Sequence, residues 1–379
     1  MEWKIPLSDI DFGPDERNAV AQVLQRRWLT MGAVTQEFEQ AFAAYVGAKH
    51  AIAVTNATAA LHLACVVAGV GASDEVILPS LTFVATANAV RYTGATPVFV
   101  DIEGEADLNI SYRAIEKAIT PRTRAILVMH YGGYACDMPR ILSLARRHGL
   151  QVIEDAAHAV GSELAERQLG TWGDIGCFSF FSNKNMTTGE GGMIVTDNRR
   201  YAERLQLLRS HGMTTLTWDR HKGHASSYDV VDLGYNYRID EIRSALGLVQ
   251  LGKLTANNER RRRITGLYRD ALHEFAPRVT VPFANHLGVS AAHLMPILLP
   301  EGVNKSNFME EMKARKVQTS FHYPPIHTFS AYQMPDGGLS LPITEAIAAR
   351  EVTLPLYPTL GEQDVVTVAE AVGSALRQC

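Results

Sequence analysis

The chain has 379 residues, 46% of them hydrophobic and 20% charged, and a formal net charge of -4. This is a globular profile, long enough for two domains, and it offers no basic field to draw nucleic acid. No apolar run approaches the roughly 18 residues of a membrane span, the N-terminus lacks the apolar core of a signal peptide, and Cys65, Cys136, Cys177 and Cys379 show neither metal-type nor redox spacing. A cytoplasmic protein with free thiols, no bound metal and no membrane or nucleic-acid partner is expected.

In chain order, Gly13-Pro14 starts a helix, and a second helix follows Thr35, with Phe38, Phe42 and Tyr45 on one face and Gly47 as its stop. Ala51–Val54 is a short buried strand that turns through Thr55-Asn56 into a helix. Such a turn caps the helix and leaves backbone N–H groups free at its start, a ready anion site. Strands then alternate with helices: Glu75–Leu78, an alanine-rich helix to Tyr92, Pro97–Val100, Arg124–Val128, a helix from Pro139 to His148, and a strand from Leu150 that ends at Asp155. Nearly all-apolar strands in this alternation predict an α/β fold with a mostly parallel sheet covered on both faces.

The apolar run Cys177–Phe181 is another buried strand, and the loop to Gly192 holds Lys184 among Asn183, Asn185, Thr187 and Thr188. After Thr196 come a charged helix over Arg199–Arg209 and a polar stretch, Gly212–Asp229, that reads as a surface loop or a substrate lid. Arg238–Leu251 and Ala256–Glu274 read as two helices, with Arg260–Arg263 as a solvated face. Residues 1–250 form the larger unit and 251–379 a smaller α+β unit, with a strand-like run Ala292–Leu299, a helix Lys305–Ala314, a loop Phe321–His327 and a final helix Gln363–Arg377.

If the strands are parallel, Thr58, Phe83, Asp155 and Lys184 converge on one sheet edge, where such folds display reactive groups. A lysine can form a Schiff base with a carbonyl. An aldehyde cofactor with a phosphate handle and a pyridine nitrogen further needs an anion cradle, a planar partner and an acid facing the nitrogen. Thr58 at its helix start, Phe83 and Asp155 supply these, which points to pyridoxal phosphate. His158, three residues beyond Asp155, is close enough to reach the ring's oxygen substituent. The alternative is an ordinary solvated lysine in a surface loop.

Several segments together resemble the DegT/DnrJ/EryC1/StrS family of sugar aminotransferases, pyridoxal-phosphate enzymes of the aspartate-aminotransferase fold (fold type I). They are Trp28–Gly32, Asn56–His62, Pro79–Thr86, Glu154–His158, Phe178–Phe180 with Asn183-Lys184 and Thr188–Gly192, Gly234–Arg238 and His322–His327. The resemblance implies that Lys184 carries the cofactor, Asp155 faces its pyridine nitrogen, Phe83 stacks on the ring and His158 reaches its hydroxyl. Ala57, Thr58 and Ser179 would bind the phosphate, with Asn236 reaching it from the other subunit of a homodimer. Many relatives have glycine at the position of Ala57, and Phe181-Ser182-Asn183 replaces a commoner His-Ala-Thr type of run.

The activity this implies is amination of a nucleotide-linked keto-sugar, with glutamate as donor. Arg220, Lys222, His322, Tyr323 and His327 are candidates for the sugar or diphosphate. Transamination of another cyclic ketone, such as a keto-inositol, is the nearest alternative. A dehydratase branch of the family carries histidine at the position of Lys184, and a regulatory protein without turnover would not need Lys184, Asp155 and Thr58 together.

Overall fold

The computed structural model describes residues 3–215, 227–333 and 338–379. Helices α1 (Pro14–Arg26) and α2 (Ala33–Val46) lead into strand β1 (His50–Val54) and helix α3 (Ala57–Val67). Then come β2 (Glu75–Pro79), α4 (Val84–Tyr92), β3 (Thr96–Val100), the hairpin β4 (Ile102–Gly104) and β5 (Asp107–Ile110), α5 (Tyr112–Ala118), β6 (Thr123–Met129), α6 (Met138–His148) and β7 (Gln151–Asp155). A short hairpin, β8 (Glu163–Leu164) with β9 (Arg167–Gln168), precedes β10 (Ile175–Ser179), β11 (Gly192–Thr196) and α7 (Arg199–Leu208).

Seven of these strands form one sheet in the order β1-β11-β10-β7-β6-β2-β3. The pairs from β10 through β7, β6 and β2 to β3 are parallel, while β11 runs antiparallel to both of its neighbours. The sheet is therefore mostly parallel, as its all-apolar strands predict. Side chains alternate between two cores. Ala53, Ile126, Val128, Val152 and Phe178 point to the side of α2, α5 and α6, and Val54, Leu127, Ile153 and Cys177 to the side of α3, α4 and α7. Both faces being covered, the places left for polar chemistry are the ends of the strands.

The two helices expected at Arg238–Leu251 and Ala256–Glu274 are one 35-residue helix, Glu241–Phe275. Gly252 sits in open space, and a glycine there costs only about 1 kcal/mol. Buried Leu251 and Leu254 on either side hold the turn against the sheet core. Residue 250, the expected edge of the larger unit, falls inside this helix. Its first half packs on α1 and α2, and its second half on the helix Glu362–Leu376. The basic run is not a uniformly solvated face either: Arg261 is buried and its Nη1 donates to the Leu356 carbonyl at 2.9 Å.

Glu241 begins the long helix and reaches back to α2. Its carboxylate accepts the N–H groups of Gly32, Val34 and Thr35 at 2.8, 2.9 and 2.9 Å, so a residue two hundred positions away satisfies the free donors of that helix start. The C-terminal core gathers Ile5, Tyr268, Phe308, Val368 and the antiparallel pair β12 (Met295–Leu298) and β13 (Glu351–Leu354).

Candidate active site

The ends of β1, β2, β7 and β10 surround a cavity of about 400 Å³, closed on its far side by His322 and Tyr323. After β1, Asn56 caps α3: its Oδ1 accepts the Ala59 N–H at 2.8 Å and its carbonyl accepts that of Ala60 at 3.1 Å. The first N–H groups of the helix, those of Ala57 and Thr58, have no partner within the helix and stand at the cavity wall. Gly192 at the start of β11 passes so close that a Cβ there would lie 2.6 Å from the Asn56 carbonyl carbon and 2.8 Å from the Ala57 nitrogen. Only glycine lets strand and turn approach in this way. After β2, Phe83 starts α4 with its ring bare on the cavity, 56% exposed.

Lys184 lies on the loop that reverses the chain from β10 into antiparallel β11. The loop is pinned at both ends, by Phe180 N–H to Gly191 O and Thr188 N–H to Phe180 O, each 2.9 Å, and by buried Met186. The lysine is thus presented by a short hairpin turned inward. Burial lowers its pKa to about 8, against the pull of the Asp155 charge.

The alternation along β7 separates two acids. Glu154 turns away from the cavity and accepts from the backbone of Gly170 and Gly173 and from His130 Nε2, a structural knot. Asp155 faces the cavity, where Thr86 Oγ1 donates to its Oδ2 at 2.8 Å and the Ala157 N–H to its Oδ1 at 3.1 Å. Burial raises its pKa and these bonds oppose the rise. His158 accepts the Gly132 N–H at Nδ1, 3.3 Å, which leaves the proton on Nε2, 2.9 Å from the Tyr323 hydroxyl.

The other expected residues separate. Ser179, His322 and Tyr323 line the cavity, whereas buried His327 is held by Ser80 Oγ at 2.7 Å and Glu345 Oε1 at 3.1 Å and does not. Asn236 is exposed and does not line its own chain's cavity. Arg220 and Lys222 lie outside the described residues. Two groups near the site escaped the sequence: His293, whose Nε2 lies 3.5 Å from Lys184 Nζ and whose Nδ1 meets Asn185, and Glu351, which accepts the His322 N–H at 2.7 Å. Only Asn185, in the Asn-Lys-Asn triplet, carried a local signal. A larger recess of about 670 Å³ between α2 and α7 holds Glu39, Lys49, Glu203 and Arg209, and none of its described lining residues is shared with the cavity above.

The cavity fits pyridoxal phosphate by its donor set. A dianionic phosphate matches free helix-start N–H groups and the Ser179 hydroxyl, a planar ring matches the bare face of Phe83, and a ring N–H⁺ matches the oriented Asp155 carboxylate. The buried Asn183 Oδ1, which has no hydrogen-bond partner among the described residues, leaves one further polar atom at the same wall.

The family model for the DegT/DnrJ/EryC1/StrS aminotransferases matches residues 11–373. The spore coat polysaccharide biosynthesis protein SpsC of Bacillus subtilis (strain 168) is 41% identical over 379 residues, covering 98% of this chain and 96% of its own. Spr1654 of Streptococcus pneumoniae matches in its PLP form at a TM-score of 0.91 and 27% identity, covering 99% of both chains. Its PMP form matches at 0.91 and 28%, covering 99% of this chain and 100% of that one. DesI, solved in the presence of its TDP-sugar product, matches at a TM-score of 0.88 and 32% identity over 100% of this chain and 94% of its own.

Proposed function

From the premise that this chain belongs to the DegT/DnrJ/EryC1/StrS aminotransferase family, and is therefore a PLP-dependent sugar aminotransferase, we propose that it aminates a keto-sugar carried on a nucleoside diphosphate, with glutamate as the amino donor, in a cytoplasmic setting. The observation that carries this reading is Lys184, its amine lowered to about 8 by burial, in one cavity with the oriented Asp155 and the start of α3. The TDP-sugar product of DesI supports a nucleotide-linked substrate.

Ala57, Thr58 and Ser179 would hold the phosphate, Phe83 the ring face, Asp155 the ring nitrogen and His158 the ring oxygen. When bound, pyridoxal phosphate supplies a carbonyl that links covalently to amines and a ring that takes up electrons from the adjacent carbon. Asp155 keeps a positive charge favourable at its carboxylate, and Thr86 and Ala157 fix the direction in which that carboxylate points. Lys184 Nζ, neutral in part of the population near neutral pH, serves as the base that takes a proton from carbon and the acid that returns it. Tyr323 and His322 wall the cavity opposite the strand ends, and burial holds His322 down at about 3, so it stays neutral beside the lysine.

The test is a pair of half-reactions. Holoenzyme mixed with glutamate should lose its yellow colour and release one equivalent of 2-oxoglutarate. A panel of keto-sugar nucleotides should then restore the colour and yield an amino sugar nucleotide. Colour restored by a free keto-inositol and by none of the nucleotides would replace this substrate class with the alternative.

A further inference from the structure

We propose that His293 is a positioning residue for the Lys184 amine: a neutral imidazole, locked with its proton on Nδ1, whose bare Nε2 holds that amine whenever it is not joined to the cofactor. The inference deepens the function proposed above and rests on Lys184 being the cofactor-carrying amine.

The lock is a chain of hydrogen bonds whose direction is set by two backbone carbonyls, which can only accept. Asn258 Nδ2 donates to the Val160 carbonyl at 2.9 Å, which turns Asn258 Oδ1 towards Asn185. Asn185 Nδ2 donates to that oxygen and to the Ala291 carbonyl, both at 2.7 Å. Both donors of Asn185 are thereby committed, and its Oδ1 faces His293 Nδ1 at 2.9 Å. An amide oxygen accepts only, so Nδ1 must carry the ring proton. A neutral imidazole has one such proton, which leaves Nε2 bare, 3.5 Å from Lys184 Nζ.

His293, Asn185 and Asn258 are all buried, and the alternative amide orientation would set carbonyl against carbonyl. Among the described residues, the charged or titratable groups that act on His293 are Lys184, His158, Arg261 and His322, none of them a carboxylate, so burial and charge both keep it neutral. Lys184 in turn faces Asp155, His158 and His322. An amine that donates one N–H to Nε2 keeps its lone pair for the cavity, the orientation that a proton-carrying lysine needs.

Two measurements test this on the full-length protein. In the first, acetic anhydride labelling of Lys184 in cofactor-free protein is followed against pH by mass spectrometry. Asn185→Leu, which leaves the His293 ring in place but frees its proton to move to Nε2, should lower the apparent Lys184 pKa by about one unit, a tenfold change in protonation ratio, as the charge-assisted bond to the ammonium is lost. His293→Phe should do the same, and His293→Gln, whose amide oxygen can accept, should stay near wild type. No shift, or a rise, in Asn185→Leu overturns the proposal. The second measurement needs no variant to fold. Nitrogen-15 NMR of histidine-labelled wild type should show His293 with Nδ1 protonated and Nε2 bare, and a protonated Nε2 overturns it. Borohydride fixation of the holoenzyme checks the underlying assignment separately. A label on another lysine would refute the role of Lys184 and leave the tautomer result standing.

Discussion

At the scale of single residues the cavity is defined by what burial does to charge. Lys184 is lowered and Asp155 raised by the same desolvation, each against the pull of the other. A positive ring nitrogen facing Asp155 would bring that carboxyl back down and hold the pair of charges in place. Asp155→Asn keeps the shape and can still bond Thr86, but it has no charge to hold a proton on the ring. The variant is expected to bind cofactor through the α3 start and Phe83 while losing about 100-fold or more in turnover, the scale of removing one preorganised charge. Steady-state kinetics beside cofactor content decide it; near-normal turnover would mean that another group faces the nitrogen.

At the scale of elements, polar side chains tie the long helix to its neighbours. Glu241 caps α2, Asn258 anchors the amides behind Lys184 and Arg261 holds the Leu356 carbonyl. Glu16 in the first turn of α1 is the clearest titratable case. Its carboxylate accepts the Gly13 N–H at 2.7 Å and Gln250 Nε2 at 2.8 Å, and pairs with Lys253 Nζ at 2.7 Å. Burial alone would raise its pKa, but these bonds outweigh it and bring the group from 4.5 down to about 2. Because the folded value is the lower one, the unfolded chain binds more protons between those limits. The contribution is therefore complete above pH 4.5 and is lost as pH falls towards 2. Glu16→Gln should cost about 2 kcal/mol at pH 7 and distinctly less at pH 3, measured by urea unfolding at both. An equal deficit at the two pH values would place the effect in packing rather than charge.

At the scale of the whole molecule, Asn236 is exposed and does not line its own chain's cavity, as expected if a second copy of the chain completes the site. A two-fold dimer would then hold two composite sites, each with Lys184 from one subunit and Asn236 from the other. Asn236→Asp sets a carboxylate against the phosphate and Lys184→Ala removes the amine, so each alone should be inactive. Unfolded and refolded together, about half the dimers are mixed, and each mixed dimer has one site with both defects and one with none. Activity should return to roughly a quarter of wild type. No recovery, with mixed dimers confirmed by mass, would mean that Asn236 acts within its own chain.

What the sequence by itself determined was local or periodic. All-apolar strands alternating with helices dictated a mostly parallel sheet, and in such a sheet the segments after β1, β2, β7 and β10 must share one edge, which brought Thr58, Phe83, Asp155 and Lys184 together on paper. The tertiary structure decided whatever depends on partners far apart in the chain. It inserted β11 antiparallel, which turns the Lys184 loop inward, and placed Gly192 against the α3 turn. Packing against two cores fused two expected helices across Gly252 and buried Arg261. It drew His327 into a bond with Ser80, and set His293 and Asn258 behind Lys184 across separations of 109 residues for the lysine and 73 for Asn185. No pattern of 2 or 3.6 residues encodes such contacts. They exist because buried polar groups must find partners, and which partners are in reach is known only once the chain has closed on itself.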